Sequence, residues 1–430
     1  MSLPDYTYDN DCALQLDEKD DLHHFRNKFY FSGKDQIYLD GNSLGRLPLA
    51  TQDLLQNNII AKWGNELINS WNQEWYELPE TISRKIASIV GAGEGEIATC
   101  DSTSINLYKL AQAALNRQKG RTQIVSDELN FPTDLYVLQS IISRSGNNHK
   151  LVKAPSNDGD NQVRTEELSG LINENTAIVM LSHVAFKSAF MYDMQKINEI
   201  AHRNGALVIW DLSHAAGAVP LQLSASDADL AVGCTYKYLN GGPGSPAFLY
   251  VNKKLQNELV SPVWGWFGEH QPFDFNPQYR PAHGIRKFMV GTPPILSLAA
   301  VEPGLNLILE AGINNLRVKS VSQTEYLIFL AKRFLLPLGF KFGSPLYPKA
   351  RGSHVSLQHP ESYRICRALI HPIDEHPAVI PDFRAPDNIR FGITPLYTTF
   401  SEIYTAVRRV EEIVKIHLYE KYSDKRDAVT

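Results

Sequence analysis

The chain has 430 residues, of which 43% are hydrophobic and 21% are charged, a balance typical of a folded protein and unlike that of disordered or fibrous chains. The net charge of −5 is spread without a basic cluster, so we expect neither nucleic acid nor an anionic membrane as a partner. The acidic start lacks the regions of a secretory signal, and no run of about eighteen apolar residues occurs; we expect a soluble, cytoplasmic protein.

The cysteines and histidines give no sign of a disulfide framework or a metal site. The two adjacent histidines, His23 and His24, do not have the spacing of a helical metal motif, and we predict no metal. No C-x-x-C pair occurs, and we predict free thiols at all four cysteines, Cys12, Cys100, Cys234 and Cys366.

From about residue 85 to 252, short apolar runs alternate with stretches of helical length. Such continuous runs are typical of a parallel sheet covered by helices on both faces. We predict an α/β fold with a mostly parallel central sheet and a crossover helix over Met194–Asn204, ended by Gly205. The predicted strands are Thr122–Ser126, Ala177–Ser182, Leu207–Asp211, Leu230–Cys234 and Ala247–Val251.

The segment Leu255–Pro294 is rich in proline, glycine and aromatic residues, which predicts an ordered functional loop. Beyond it we predict long amphipathic helices over Leu296–Arg317 and Ser401–Lys421, and short strands near Val355 and at Ile389–Ile393. This change of pattern indicates a large domain over residues 56–295 and a smaller α+β domain formed by residues 1–55 and 296–430.

Four polar residues lie at or just after the ends of two neighbouring predicted strands: Asp211, His214, Tyr236 and Lys237. Ligands of open α/β sheets bind beyond the carboxyl ends of the strands, so we expect these side chains to share one crevice. A lysine amine that holds pyridoxal 5′-phosphate (PLP) as a Schiff base and an acid that keeps the pyridine nitrogen protonated are what PLP chemistry needs. Lys237 and Asp211 supply both.

Simpler interpretations stand beside this one. A lone lysine at a strand end is ordinarily a solvated surface residue, and Asp211 is also suited to be a helix N-cap. The glycine-rich NGGPGSP segment after Lys237 has neither Walker A nor Rossmann spacing, which disfavours a nucleotide-binding protein.

A phosphate site is predicted where residues 100–106 precede a helical run, because a helix N-terminus favours anions. The alternative for this stretch is a plain helix cap. After the next strand, the aromatic ring of Phe131 could stack on the pyridine, and Asp134 could reach its polar edge; a core phenylalanine is the ordinary alternative.

Taken in order, YLDGNSLGRLP, STSINL, FPTD, WDLSHAAG, TYKYLNGGPGSPAFLYV, GWFG, GTPPIL and RFGITPLY resemble the motifs of the kynureninase family. They extend from residue 38 to about residue 397. The resemblance implies a fold-type I PLP enzyme, a homodimer with active sites at the subunit interface, and cleavage of L-kynurenine to anthranilate and L-alanine. Whether 3-hydroxykynurenine is also a substrate is left open.

The resemblance also implies roles for individual residues. Lys237 would carry the cofactor, Asp211 would face the pyridinium, and Phe131 would stack on the ring. Thr103, Ser104 and Tyr236 would hold the phosphate, while Asp134, Ser182 and His214 would line the site. Trp266 and Thr292 would reach the phosphate of the neighbouring subunit; related enzymes carry asparagine at the position of Thr292.

For the substrate, Arg390 would bind the α-carboxylate, because a guanidinium matches a carboxylate with two hydrogen bonds. Asn42 and Ser43 are predicted to contribute near the mouth of the site. Without the resemblance, Arg390 would be an ordinary strand-end arginine, Trp266 a packing aromatic and residues 38–48 a strand and turn. A cysteine desulfurase, a class V aminotransferase and a PLP-fold protein without activity remain the rival interpretations.

Overall fold

The computed structural model describes residues 6–33, 36–146, 148–157 and 161–426. The α-helices are α1 (Asn10–Glu18), α2 (Leu49–Asp53), α3 (Ala61–Glu66), α4 (Leu78–Val90), α5 (Thr103–Arg117), α6 (Pro132–Arg144), α7 (Thr165–Leu171), α8 (Met194–Arg203), α9 (Ile295–Ala299), α10 (Val301–Ala311), α11 (Ile313–Phe334), α12 (Ser362–Ile370) and α13 (Phe400–Lys415), with π-helical turns at Leu54–Ile60 and Trp71–Trp75. The strands are β1 (Gln36–Tyr38), β2 (Ile97–Thr99), β3 (Gln123–Asp127), β4 (Lys150–Ala154), β5 (Thr176–Ser182), β6 (Leu207–Asp211), β7 (Leu230–Gly233), β8 (Phe248–Val251), β9 (Lys341–Phe342), β10 (His354–Gln358), β11 (Ala378–Ile380), β12 (Asp382–Arg384) and β13 (Asn388–Gly392).

A central sheet of seven strands has the order β2-β8-β7-β6-β5-β3-β4. The strands from β7 to β4 pair in parallel, and β8 pairs antiparallel with both β2 and β7. Successive side chains of a strand point to opposite faces of the sheet. Accordingly, Val179 and Leu181 join one apolar cluster, and Ile178 and Met180 join another. The predicted α/β fold with a mostly parallel, helix-covered sheet is confirmed.

The five predicted strands are present within one residue at each end, and the crossover helix is α8. Two strands of the sheet, β2 and β4, were not predicted. Strand β2 has only three residues, and β4 is an edge strand that exposes Lys150 and Lys153. Charged and very short edge strands lack the continuous apolar run on which the other predictions depended.

A second sheet has the order β12-β13-β10-β9 and is antiparallel. Strand β1 pairs with β11 nearby. One apolar cluster combines Ala13 and Leu39 from the start of the chain with Leu330 and Phe391 from its end. This packing supports the grouping of the N-terminal segment with the C-terminal part, and the domain boundaries stay a prediction.

Two helix predictions in this part are wrong. The stretch Leu296–Arg317 is divided among α9, α10 and the start of α11, and the second break lies at Gly312, whose φ is +77°. The helix predicted over Ser401–Lys421 ends at Lys415 and is followed by a 3-10 turn after His417, whose φ is +54°. The apolar spacing continues across these breaks, so periodicity alone did not reveal them.

The loop from Leu255 to Pro294 contains 3-10 turns at Trp266–Gly268, Pro272–Asp274 and Gly284–Phe288.

In the described part of the chain, no single helix is long and apolar enough to cross a membrane. One pair of helices, Ile295–Ala311 with Ile313–Phe334, is long and apolar enough when taken together, but the pair is bent by 81°.

The start of helix α13 offers a test of helix capping. Thr399 caps it by accepting a hydrogen bond from the Glu402 backbone N–H, and the Glu402 side chain accepts one from the Thr399 N–H. Thr399→Ala should lower the free energy of unfolding by about 1 kcal/mol, because the backbone N–H groups of Thr399 and Glu402 are satisfied by the reciprocal hydrogen bonds between these two residues. Thr405→Ala, inside the same helix, is the control and should be neutral or slightly stabilising in the same thermal unfolding measurement. Equal losses in both variants would contradict the capping role.

Candidate active site

The candidate site lies where β3, β5, β6 and β7 end. Asp211 is the last residue of β6 and is the register partner of Ser182 at the end of β5. Lys237 follows β7 on a turn, and Phe131 follows β3 just before α6. Parallel pairing sets these carboxyl ends side by side, so the sequence prediction of one shared crevice agrees with the geometry.

Lys237 contacts His214 and two aromatic rings. Its Nζ lies 3.0 Å from His214 Nε2, 5.9 Å from the centroid of Phe131 and 5.8 Å from that of Tyr236. Burial, and then the positive charges of Lys237 and Arg390, lower the pKa of His214 well below its usual value. His214 is therefore neutral, and its Nε2 can accept a hydrogen bond from the Lys237 amine.

Asp211 and Asp134 form a buried carboxyl pair. Asp211 Oδ1 accepts a hydrogen bond of 2.8 Å from the Ser213 backbone N–H. Burial, and then the charge of Asp211, raise the pKa of Asp134 well above its usual value. The pair therefore retains one proton on Asp134, because two adjacent buried carboxylates cannot both ionise without cost. Asp211 lies beside Asp134 at the carboxyl end of β6.

Ser182 supports the Phe131 turn. Its hydroxyl donates to Asn130 Oδ1 over 2.6 Å, and the same oxygen accepts the Phe131 backbone N–H over 2.9 Å. Asn130 was not predicted from the sequence, where it reads as an ordinary turn residue. The predicted contact of Ser182 with a cofactor stays a prediction.

The N-terminus of α5 provides donors for an anion. Ser102 accepts the Ile105 N–H over 3.4 Å, so the N–H groups of Thr103 and Ser104, which have no partner within the helix, remain available. Beneath this turn, the fully buried Lys109 pairs with Asp101 over 2.7 Å and donates to the Phe288 carbonyl over 2.6 Å. This buried lysine links the helix start to the aromatic loop and was not predicted.

Trp266 and Thr292 lie on two segments of the aromatic loop that hydrogen-bond to each other. Trp266 Nε1 donates to the Pro272 carbonyl over 2.6 Å, and the next residue, Phe267, donates its N–H to the Val290 carbonyl over 3.1 Å. Both Trp266 and Thr292 are exposed, and among the described contacts none joins either of them to Lys237. The placement of these two residues at a phosphate stays a prediction.

Arg390 lies on β13, opposite Asp382 on β12. It was predicted to meet a substrate carboxylate, but its guanidinium is buried and paired with Asp382. The Nη1 group donates to the Phe186 carbonyl over 2.5 Å and Nη2 to Ser43 Oγ over 3.0 Å. Asp382, which the sequence analysis did not identify, is therefore part of the site.

The segment after β1 closes the site from the other side. Gly45 N–H donates to the Tyr236 carbonyl over 2.8 Å, which brings Asn42 and Ser43 near the Lys237 turn. Both amide atoms of Asn42 are buried without a hydrogen-bond partner in the described residues. The buried His354, on β10, lies with its ring 5.6 Å from that of His214 and was also missed, because a histidine inside a strand carries no motif.

The aminotransferase class-V family model matches residues 37–332, and the kynureninase C-terminal domain model matches residues 316–410. Kynureninase of Pseudomonas fluorescens is 43% identical to this chain over 412 residues, covering 94% of this chain and 95% of that protein. Kynureninase of Burkholderia pseudomallei is 40% identical over 409 residues, covering 94% of each.

Solved structures show the same fold at low identity. A cysteine desulfurase from Thermococcus onnurineus NA1 has a TM-score of 0.76 at 18% identity, covering 96% of this chain and 99% of that one. A C-DES variant with glycine linked to its PLP cofactor has a TM-score of 0.77 at 18% identity, covering 90% and 99%. The curated relatives match over nearly their whole length at much higher identity, and the chain belongs to the kynureninase family within aminotransferase class V.

Proposed function

We propose that this chain is a PLP-dependent hydrolase that cleaves L-kynurenine to anthranilate and L-alanine, a step of tryptophan catabolism. The observation that carries the proposal is the convergence of Lys237, Asp211 and Phe131 at one edge of the sheet in a chain of the kynureninase family. Activity on 3-hydroxykynurenine and a cytoplasmic location stay predictions.

The residues present fit the cofactor. Asp211 offers an anion for a protonated pyridine nitrogen, Phe131 offers a ring face beside Lys237, and Thr103 and Ser104 offer donors for the phosphate. When bound, PLP supplies an electron sink for the negative charge that develops on the substrate. His214 Nδ1 and both amide atoms of Asn42 are buried without a hydrogen-bond partner among the described residues, which further indicates that polar groups here are left for a ligand.

Lys237 is the group that moves protons. Its Nζ would take the proton from the substrate Cα and later return it, and the neutral His214 holds that amine in place without competing as an acid. The charge of Cys234, and then burial, raise the pKa of Tyr236, so its phenol stays protonated and can donate to an anionic oxygen. Arg390, Asn42 and Ser43 would bind the polar groups of the substrate.

The rival desulfurase activity lacks its nucleophile. A desulfurase needs a reactive cysteine on an accessible segment. Cys100, Cys234 and Cys366 are buried, and Cys12 lies in α1. Burial also raises the pKa of Cys100 to about 11. A class V aminotransferase would transfer the amino group instead of releasing anthranilate, and a protein without activity would show no turnover.

We further propose a homodimer. Apolar side chains are exposed on the helices and loops around residues 59–68 and 264–296, including Trp63, Ile68, Trp266 and Phe275. An apolar hollow of about 370 Å³ there is lined by Ile59, Trp63, Trp75, Pro294, Ile295, Leu296 and Ser297. A second copy that covers this surface would explain why Trp266 and Thr292 are exposed and have no described contact with the Lys237 of their own chain.

Borohydride reduction of the PLP-loaded protein should attach the cofactor irreversibly to Lys237, because this lysine lies beside His214, Phe131 and Tyr236. Peptide mapping identifies the modified residue, and Lys237→Ala should abolish anthranilate formation. Lys109 is the internal control, since it is also buried near the proposed phosphate site but engaged with Asp101. Label on Lys109 or any lysine other than 237 would refute the assignment.

Asp211→Asn should lower kcat by roughly 100-fold or more, because a neutral amide does not hold a proton on the pyridine nitrogen. Asp134→Asn should cost much less, since Asp134 is already the neutral member of the pair. Steady-state kinetics and the cofactor absorbance of both variants decide the matter. Near-normal turnover in Asp211→Asn would mean that this carboxylate serves only the Ser213 turn.

Subunit complementation tests the dimer. Lys237→Ala and Trp266→Ala should each be nearly inactive, whereas subunits exchanged between the two should regain about a quarter of the wild-type activity, because half of the dimers then contain one intact site. Size-exclusion chromatography gives the oligomeric state in parallel. No recovery from a verified mixed dimer would place Trp266 in the site of its own chain.

A further inference from the structure

Arg390 is held by one carboxylate, one hydroxyl and one backbone carbonyl. Its Nε donates to Asp382 Oδ2 over 2.6 Å, and Nη2 donates to the same oxygen and to Ser43 Oγ. Its Nη1 donates to the Phe186 carbonyl over 2.5 Å. The side chains of Arg390 and Asp382 are 1% and 3% exposed, so the pair lies where an unpartnered charge is costly.

These contacts leave one donor of the guanidinium open. A guanidinium has five N–H groups; the hydrogen bonds use one on Nε, two on Nη2 and one on Nη1. The remaining N–H is the second one on Nη1, the nitrogen that also donates to the Phe186 carbonyl. The Phe186 ring packs edge-on against Phe131 at 5.2 Å, and Phe131 lies beside Lys237. The open donor is therefore next to the proposed cofactor site.

We infer that Asp382 is a positioning residue: it holds the Arg390 guanidinium by its Nε edge, so that the open N–H of Nη1 receives the α-carboxylate of an amino-acid substrate. Asp382 and Arg390 are direct partners across β12 and β13, so the strand pairing fixes their separation. The inference rests on the proposed function, because it takes the substrate to be an amino acid.

The neighbouring carboxyl of Asp40 does not replace Asp382 in this role. Burial, and then the charge of Asp382, raise the pKa of Asp40 to about 7. None of the described hydrogen bonds of Arg390 goes to Asp40, whereas Asp382 binds Arg390 through Oδ2 and Arg384 through Oδ1 over 3.0 Å. The orientation of the guanidinium therefore depends on Asp382.

The test separates carboxylate binding from cofactor binding. The cofactor absorbance of the PLP-loaded protein is titrated with L-alanine and with ethylamine, which lacks the carboxylate, and the ratio of their dissociation constants measures the carboxylate contact. Asp382→Asn should shift this ratio toward unity by about tenfold or more, with PLP affinity unchanged. Asp382→Glu, which keeps the charge but displaces it, should shift the ratio while retaining the melting temperature. With Arg390→Lys already present, Asp382→Asn should cost little more.

Glu325→Gln is the matched control. Glu325 is the carboxylate partner of Arg351, which is also 1% exposed and also bonded to backbone carbonyls. Glu325→Gln should lower the melting temperature and leave the ratio unchanged. An unchanged ratio in both Asp382 variants, or an equal shift in Glu325→Gln, would overturn the inference. Anthranilate release from L-kynurenine by the unmodified protein is measured separately; its absence would contradict the proposed substrate, while the alanine ratio would still decide the role of Asp382.

Discussion

The contacts between the small sheet and the loop after β5 determine the geometry of the whole site. Arg390 on β13 and Ser356 on β10 are register partners, and they donate to the successive carbonyls of Phe186 and Lys187, each over 2.5 Å. Because that loop continues directly from the central sheet, the two hydrogen bonds attach the small sheet to the strand that carries Ser182. Arg390 on one sheet is thereby held in place relative to Lys237, which follows a strand of the other sheet.

This attachment makes the buried charges of the site interdependent. Burial, and then the charges of Lys237 and Arg390, lower the pKa of His214, and burial, and then Arg390, lower that of His354. A neutral His214 can accept a hydrogen bond from Lys237 at Nε2. Loss of Asp382 would remove the carboxylate that pairs with Arg390. The guanidinium would then be unpaired in a buried region where positive charge is already unfavourable, as the two neutral histidines indicate. Each of the two carboxyl pairs, Asp134 with Asp211 and Asp40 with Asp382, contains one group of raised pKa, because each pair is compact and largely removed from water.

The sequence predicted those parts of the fold and site that depend on local pattern. Apolar runs located the strands of the central sheet, and an aspartate after one strand with a lysine after the next indicated the crevice that the structure describes. Asp382, His354 and Asn130 were missed because each acquires its position only when distant segments pair, and a single polar residue in a strand or turn has no distinctive neighbours. The burial of Arg390 was missed for the same reason, since its anion lies on a separate strand. The broken helices after Pro294 were missed because apolar periodicity does not report backbone breaks.

The two parts of the chain contribute different kinds of specificity. Lys237, Asp211 and Phe131 belong to the central sheet, whose fold is shared with desulfurases, and under the proposed function they would provide what any reaction on an amino acid bound to PLP requires. Arg390 and Asp382 belong to the small antiparallel sheet, where strand pairing sets the direction of the guanidinium independently of the cofactor. A change in the small sheet can therefore alter how Arg390 is held and, because Arg390 contributes with burial and Lys237 to the lowered pKa of His214, also the surroundings of Lys237. Under the proposed function, the angle at which Arg390 holds the carboxylate would set the orientation of the Cα–H bond toward Lys237, so the small sheet would affect rate as well as affinity.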